Sequence, residues 1–245
     1  MRILQFLTFA LCTPLMLGQS PIPPDLQHAS RLILVTTADW NAVDGRLTRY
    51  SRLGNKWKQV GEAIPVVVGK NGLAWDPKIA NGHTNQFPGP VKHEGDGRAP
   101  AGILKLSDSF GFENADSVGV QNYLQLTTTS ECVDDPKSKH YAHIVNRASI
   151  KNVDWNSSEK MRSIDLYRLG VIVSYNMSQT VPGNGSCIFL HIWRGPGQGT
   201  AGCTAMLQEK LEEIINWLNS KVPNALLIQL PQPEYQRLKT AWNLP

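Results

Sequence analysis

Residues 187–206 read CIFLHIWRGPGQGTAGCTAM. The continuous apolar run at the front predicts a buried strand, and the nine residues RGPGQGTAG (194–202), crowded with glycine, cannot continue it. Beyond Cys203 the pattern changes period. In TAMLQEKLEEIINWLNSKV (204–222), Leu207, Leu211, Ile214, Ile215 and Leu218 fall on one helix face, which predicts a helix starting at or just after Cys203. A buried strand, a Gly-rich loop and a helix thus follow one another, with a histidine and a cysteine at the two ends of the loop.

Upstream, RLILVTTADW (31–40), RLTRYSRL (46–53) and KWKQVGEAIPVVV (56–68) are separated by Asp44-Gly45 and Gly54-Asn55, the signature of an antiparallel β meander. GILKL, YLQLTTTS, LGVIVSYN and ALLIQL add further β-like runs. PEYQRLKTAWNL (233–244) opens on a proline suited to a first helical turn. The expected class is therefore mainly β, with one main helix and a short C-terminal helix. Residues 76–101 form a long loop rich in Gly, Pro, Asn and Asp, of the kind that is often functional.

The chain has 245 residues, 41% of them hydrophobic, enough for one full core. The first twenty, MRILQFLTFALCTPLMLGQS, read as a secretory signal peptide, with one positive charge, a short apolar stretch and small polar residues. The expected organisation is a signal peptide at 1–20, a Pro-rich leader at 21–29 and one domain at 30–245, working outside the cytoplasm. A formal charge of +4 is dispersed without basic runs, so neither nucleic acid nor stable membrane insertion of the mature chain is expected.

Removing the signal discards Cys12 and leaves Cys132, Cys187 and Cys203, an odd number for an oxidising compartment. Cys132 and Cys187 both accompany β-like runs and could pair across a sheet. Cys203 lies where a thiol would meet a substrate. A thiolate nucleophile needs a base or a helix N-terminus to lower its pKa, and His191 together with the following helix would supply both. Backbone N–H groups around Ala201, Gly202 and Cys203 could hold an oxyanion. The plainer reading is a core histidine and a small buried thiol.

HIWRGPGQGTAGCTAM, with KHEGDGRAPAG upstream and CVDDPKSKHY between them, resembles the L,D-transpeptidase (YkuD-like) catalytic domain. That family carries a histidine, a Gly-rich loop and a Ser/Thr-x-Gly-Cys element, matched here by His191, Thr200, Gly202 and Cys203. The resemblance implies a β-sandwich-like domain with a helix after the nucleophile, no cofactor, and peptidoglycan stem peptides as partners. It implies that Cys203 attacks the third, L-centred carbonyl of a tetrapeptide, expelling D-alanine, with His191 as base and the carbonyl of Ile192 orienting the imidazole. The thioester would pass to an amine, giving a cross-link, or to water, giving carboxypeptidase or endopeptidase trimming. Many members carry a histidine and an arginine where this chain has Ala201 and Ala205, so Arg194 is the expected carboxylate partner, with Trp193, Thr200 and Tyr141 lining the cleft. A Cys132–Cys187 disulfide is the expected brace.

Asp134, Asp135, His140 and His143 cluster in a loop, but His-x-x-His does not match metal spacing on a helix, and bracing or a cleft wall is expected instead of a metal. His83 and His93 lie in the long loop. Sortase-like enzymes separate histidine and cysteine widely, and papain-like enzymes place the cysteine first. The non-enzymatic alternative is a wall-binding module whose Cys203 has lost reactivity.

Overall fold

The first three long strands, β1 (Arg31–Thr37), β2 (Asp44–Leu53) and β3 (Lys56–Val67), form an antiparallel meander whose second turn is Gly54-Asn55, as its sequence predicts, whereas Asp44 and Gly45 are paired residues that open β2. Gly54 supplies the left-handed residue of the hairpin turn, at φ +59°. A five-residue helix, α1 (Pro24–His28), precedes them and seats Leu26 in the core, so part of the Pro-rich leader packs with the domain. The computed structural model describes residues 23–80, 86–219 and 224–245. The predicted signal segment, with Cys12, and His83 of the long loop lie outside the described residues.

Further along come β4 (Leu73–Trp75), α2 (Pro77–Ala80), β5 (Ala99–Gly111), α3 (Ala115–Val118), β6 (Tyr123–Gln125), β7 (Ser130–Val133), β8 (Ile144–Asn146) and β9 (Ser158–Lys160). The chain ends with β10 (Leu169–Val173), β11 (Phe189–Ile192), β12 (Thr204–Met206), α4 (Gln208–Leu218), β13 (Ala225–Pro231) and α5 (Gln232–Leu238). In the main sheet the order runs β10-β11-β12-β3-β2-β1-β13-β5, and a β10–β5 pairing closes the row on itself. The sheet is mixed rather than a continuous meander: β1 runs parallel to β13, and β11 parallel to β12. Closure removes free edges over most of the sheet. Leu32, Leu47, Leu190, Leu211 and Leu227 meet in the interior.

The predicted helix after Cys203 starts later than its pattern suggests. Thr204–Met206 instead form β12, inserted between β11 and β3, because the apolar residues there complete the sheet interior. Leu207 becomes the residue preceding α4 and is 48% exposed, whereas Leu211, Ile214 and Ile215 carry the buried face. The terminal helix α5 has proline in its first turn, as its sequence predicts.

A second, small sheet of order β8-β7-β9 was not foreshadowed by apolar patterning. Its strands are three or four residues long, too short to show a period. Its buried Glu131 is satisfied by Trp155 Nε1 at 2.9 Å, Ser158 Oγ at 2.7 Å and Lys160 Nζ at 2.5 Å. A disulfide joins Cys132 of β7 to Cys187, which directly precedes the β11 segment. This bridge fastens the small sheet beside the Cys203-bearing edge of the large one.

Candidate active site

Parallel pairing of β11 with β12 sets His191 opposite Ala205. Side chains two residues apart in an extended segment share a face. Cys203, two before Ala205, therefore faces the same way as His191, one step back along the neighbouring strand. The amide N–H of Phe189 donates to Cys203 Sγ at 3.3 Å, consistent with that stagger. Ala205 is fully buried and too small to fill the space beside the imidazole.

Cys203 is the free cysteine among the described residues and is 5% exposed at the floor of a cleft of about 260 Å³. Its thiol donates to the carbonyl of Cys187 at 3.3 Å. Burial pushes its pKa well up, with the charge of Glu159 adding to the effect. His191 is pulled the other way, to about 4, first by burial and then by the charge of Arg194, against a bond to Ile192 that favours the cation. Both groups are thus neutral at rest. His191 Nδ1 lies 2.8 Å from the carbonyl oxygen of Ile192. A carbonyl only accepts, so Nδ1 carries the proton and Nε2 keeps its lone pair. Because α4 starts five residues beyond Cys203, the helix N-terminus does not act on the thiol.

The loop between the two residues is strapped to the end of β3. Thr200 N–H donates to Val68 O at 2.9 Å, and Lys70 N–H donates to Thr200 O at 2.8 Å. A Cβ on Gly199 would lie 2.5 Å from Lys70 Cα, so this approach requires glycine. Thr200 lines the cleft, but its hydroxyl is occupied within the turn. It donates to Cys203 O at 2.6 Å and accepts from Gly202 N–H at 3.1 Å. Thr200 thus pins the turn, and the Gly202 N–H is engaged within it. Ala201 and Gly202 still line the cleft.

One wall comes from KHEGDGR (92–98). Lys92 and Asp96 form an ion pair at 2.6 Å, each side chain only 4% exposed, and Asp96 also accepts from the amides of His93 and Arg98. Arg98 donates to the carbonyls of Trp40 and Leu73, a scaffold role. Tyr141, expected on the cleft surface, is 1% exposed and does not line it. Its hydroxyl donates to Glu94 Oε2 at 2.5 Å, Ser186 Oγ donates to the same oxygen at 2.7 Å, and Glu94 faces the cleft. Tyr141 braces the wall from behind.

The opposite wall is the small sheet with the turn that follows it. Asp134, Glu159 and Tyr167 line the cleft here. Asp135 accepts from the amides of Lys137 and Asn156, a bracing role, and His140 packs edge-on against Trp155. A second groove of about 390 Å³ shares Lys70, Glu159, Tyr167 and His191 with the first and adds Trp193 and the exposed Arg194. Glu94, Glu159 and Tyr167 are site residues that sequence reading missed. Glu94 lay inside a quoted motif, but Glu159 and Tyr167 have no local signal and reach the site through the tertiary fold. Among the described residues no group of three or more His, Cys, Asp or Glu is arranged to hold a metal ion, and no helix is long and apolar enough to cross a membrane.

A family model described as the L,D-transpeptidase catalytic domain (YkuD) matches residues 43–224. Among curated proteins, none matches the chain. Among solved structures, the chain is similar to the helical cell shape determining protein Pgp2 from Campylobacter jejuni, at 15% identity and TM-score 0.42, covering 82% of this chain and 48% of that one. It is similar also to Bdellovibrio bacteriovorus Bd1075, at 11% identity and TM-score 0.39, covering 91% of this chain and 58% of that one. The chain thus spans about half the length of these structures.

Proposed function

The chain belongs to the L,D-transpeptidase (YkuD) catalytic domain family, and on that premise we propose that it is a secreted cysteine acyltransferase acting on peptidoglycan stem peptides in the periplasm or cell wall. The observation that carries this reading is the pairing of a free thiol with a histidine whose Nε2 is left unprotonated, both on one sheet face and both lining one cleft.

Cys203 is the nucleophile. Its S–H proton passes to His191 Nε2 as sulfur bonds to the L-centred carbonyl of a tetrapeptide donor. Amides flanking Gly202, those of Ala201 and Cys203, hold the oxyanion, a donor of this kind lowering the barrier by roughly 3 kcal/mol. The carbon–nitrogen bond to D-alanine then breaks, and the proton on His191 goes to the departing amine. An acceptor amine next gives its proton to His191, attacks the thioester and releases Cys203, which regains the proton. Water in place of the amine gives trimming by the same steps. Burial keeps thiol and imidazole neutral until the donor arrives, so proton transfer and attack proceed together. Arg194, exposed in the second groove with Trp193, is the proposed partner for a substrate carboxylate.

Incubating the purified protein with a stem tetrapeptide tests this. D-alanine release with an acyl adduct mapped to Cys203 is expected, and a carbapenem is expected to acylate the same residue. Release that persists in Cys203→Ala would overturn the assignment. Addition of an amine acceptor separates cross-linking from trimming by the mass of the product.

A further inference from the structure

Tyr167 and Glu159 are among the polar groups of the cleft that have no part in these steps. Tyr167 ends a 3-10 turn (Asp165–Tyr167), and its ring is held edge-on among Phe110, Phe189 and His191, with centroids 5.9, 5.4 and 5.2 Å away. That packing leaves the hydroxyl little freedom. It donates to Glu159 Oε2 at 2.8 Å and lines the same cleft as Cys203, whose thiolate it favours. A phenol has one proton to give. While Glu159 accepts it, the sulfur does not receive it.

Resting on the acyltransferase reading of this site, we propose that Glu159 is a positioning residue acting through Tyr167: its carboxylate withholds the phenolic proton from Cys203, and neutralising that carboxylate releases the hydroxyl to stabilise the thiolate. The surroundings suit a group that changes state under working conditions. Burial raises the Glu159 carboxyl to about 7, and the negative charges of Asp134 and Glu94 push in the same direction. Lys70, Lys92, His191 and Cys203 line the same cleft. The charge of Glu159 in turn disfavours the Cys203 thiolate. Carboxylate and thiolate are thus alternative anions competing for one hydroxyl. The Cys132–Cys187 bridge ties the sheet bearing Glu159 to the segment leading into β11, which keeps the competitors in register.

The test is alkylation of Cys203 by iodoacetamide, mapped by mass and followed from about pH 5 to about pH 9, since the rate reports the thiolate. Wild type is compared with Glu159→Gln, which matches the neutral carboxyl in size and removes the charge that holds the phenolic proton. The variant-to-wild-type rate ratio is expected near one on the acid side, where the wild-type carboxyl is neutral, rising several-fold on the alkaline side with a midpoint near 7. In a Tyr167→Phe background, which keeps the ring contacts, the same ratio is expected to flatten. A pH-independent ratio, a ratio that rises as strongly in Tyr167→Phe, or a Cys203 that never alkylates in wild type or variant each overturns the proposal. A purely packing role would move melting temperature without changing the ratio. Alkylation needs no acyl donor, so loss of the acyltransferase reading shows up separately, as absent D-alanine release from a protein whose Cys203 still follows the ratio.

Discussion

His191 Nδ1 lies 2.8 Å from the carbonyl oxygen of Ile192, the next residue in the chain, and this one contact fixes the tautomer of a buried imidazole at the cleft wall. The bond runs along the strand itself, so it forms as soon as β11 is in place and needs no partner from elsewhere in the fold.

Because burial lowers His191 to about 4, the folded protein releases this proton more readily than the unfolded chain. The stability it contributes is present above the ordinary histidine range and is lost as pH falls through about 4. Relative to His191→Gln, wild type is expected to lose up to about 3 kcal/mol between about pH 6.5 and pH 4, at about 1.4 kcal/mol per tenfold change in proton affinity. Glu159, raised to about 7, runs the other way, contributing stability below the ordinary carboxyl range that is lost as pH rises through about 7. Urea unfolding of wild type, His191→Gln and Glu159→Gln across this window separates the two. Curves for His191→Gln that parallel wild type on the acid side would contradict the enclosed, neutral imidazole.

Replacing Cys203 with alanine is expected to abolish turnover while leaving the fold intact. The sulfur makes two weak contacts at 3.3 Å, to Phe189 N–H and Cys187 O, and neither closes a turn. A melting temperature within a few degrees of wild type, with no acyl adduct, is the expected pair of results. Joint loss of fold and activity would make Cys203 a core residue first.

The meander was legible because Gly-Asn marks the β2–β3 turn, although Asp44 and Gly45 turn out to open β2 instead of breaking the chain before it, and the His191–Cys203 loop was legible because glycines crowd it. Thr204–Met206 misled because their apolar residues satisfy a helix face as well as a strand; the vacancy between β11 and β3, a tertiary fact, decides for the strand. The small sheet was illegible for the opposite reason. Ser130, Glu131, Ser158 and Lys160 carry no apolar period, and burial of Glu131 is offset by hydrogen bonds from three different side chains. Glu159 enters the site through that sheet, and Tyr167 through the 3-10 turn that follows it. Tyr141 was placed correctly near the cleft yet on the wrong side of its wall, since nothing local reveals that Glu94 stands in front of it.

The bridge between Cys132 and Cys187 closes a span of 55 residues that includes the whole small sheet after β7. Loop-closure entropy for that length corresponds to about 4 kcal/mol. Reduction, or Cys132→Ser with Cys187→Ser, is expected to lower the melting temperature, and to reduce donor turnover because the cleft wall that carries Asp134 loses its anchorage. Calorimetry with and without reductant checks the first, and D-alanine release checks the second. Equal melting would show that packing alone holds the small sheet.

Thr200 offers the sharpest separation between a scaffold and a ligand contact. Its hydroxyl bridges Cys203 O and Gly202 N–H, so Thr200→Val keeps the shape but leaves a carbonyl and an amide unpaired beside the nucleophile. An unsatisfied buried group costs about 1–3 kcal/mol, and the turn is expected to loosen where the oxyanion must be held. Thr200→Ser restores both bonds and is expected to recover stability and kcat together. A residue that instead bound the donor directly would show its defect in KM, with the melting temperature unchanged. Measuring kcat, KM and melting for the two substitutions distinguishes these cases. A fall in kcat that serine rescues, at nearly constant KM, identifies the hydroxyl as the clasp that shapes the Gly202–Cys203 turn.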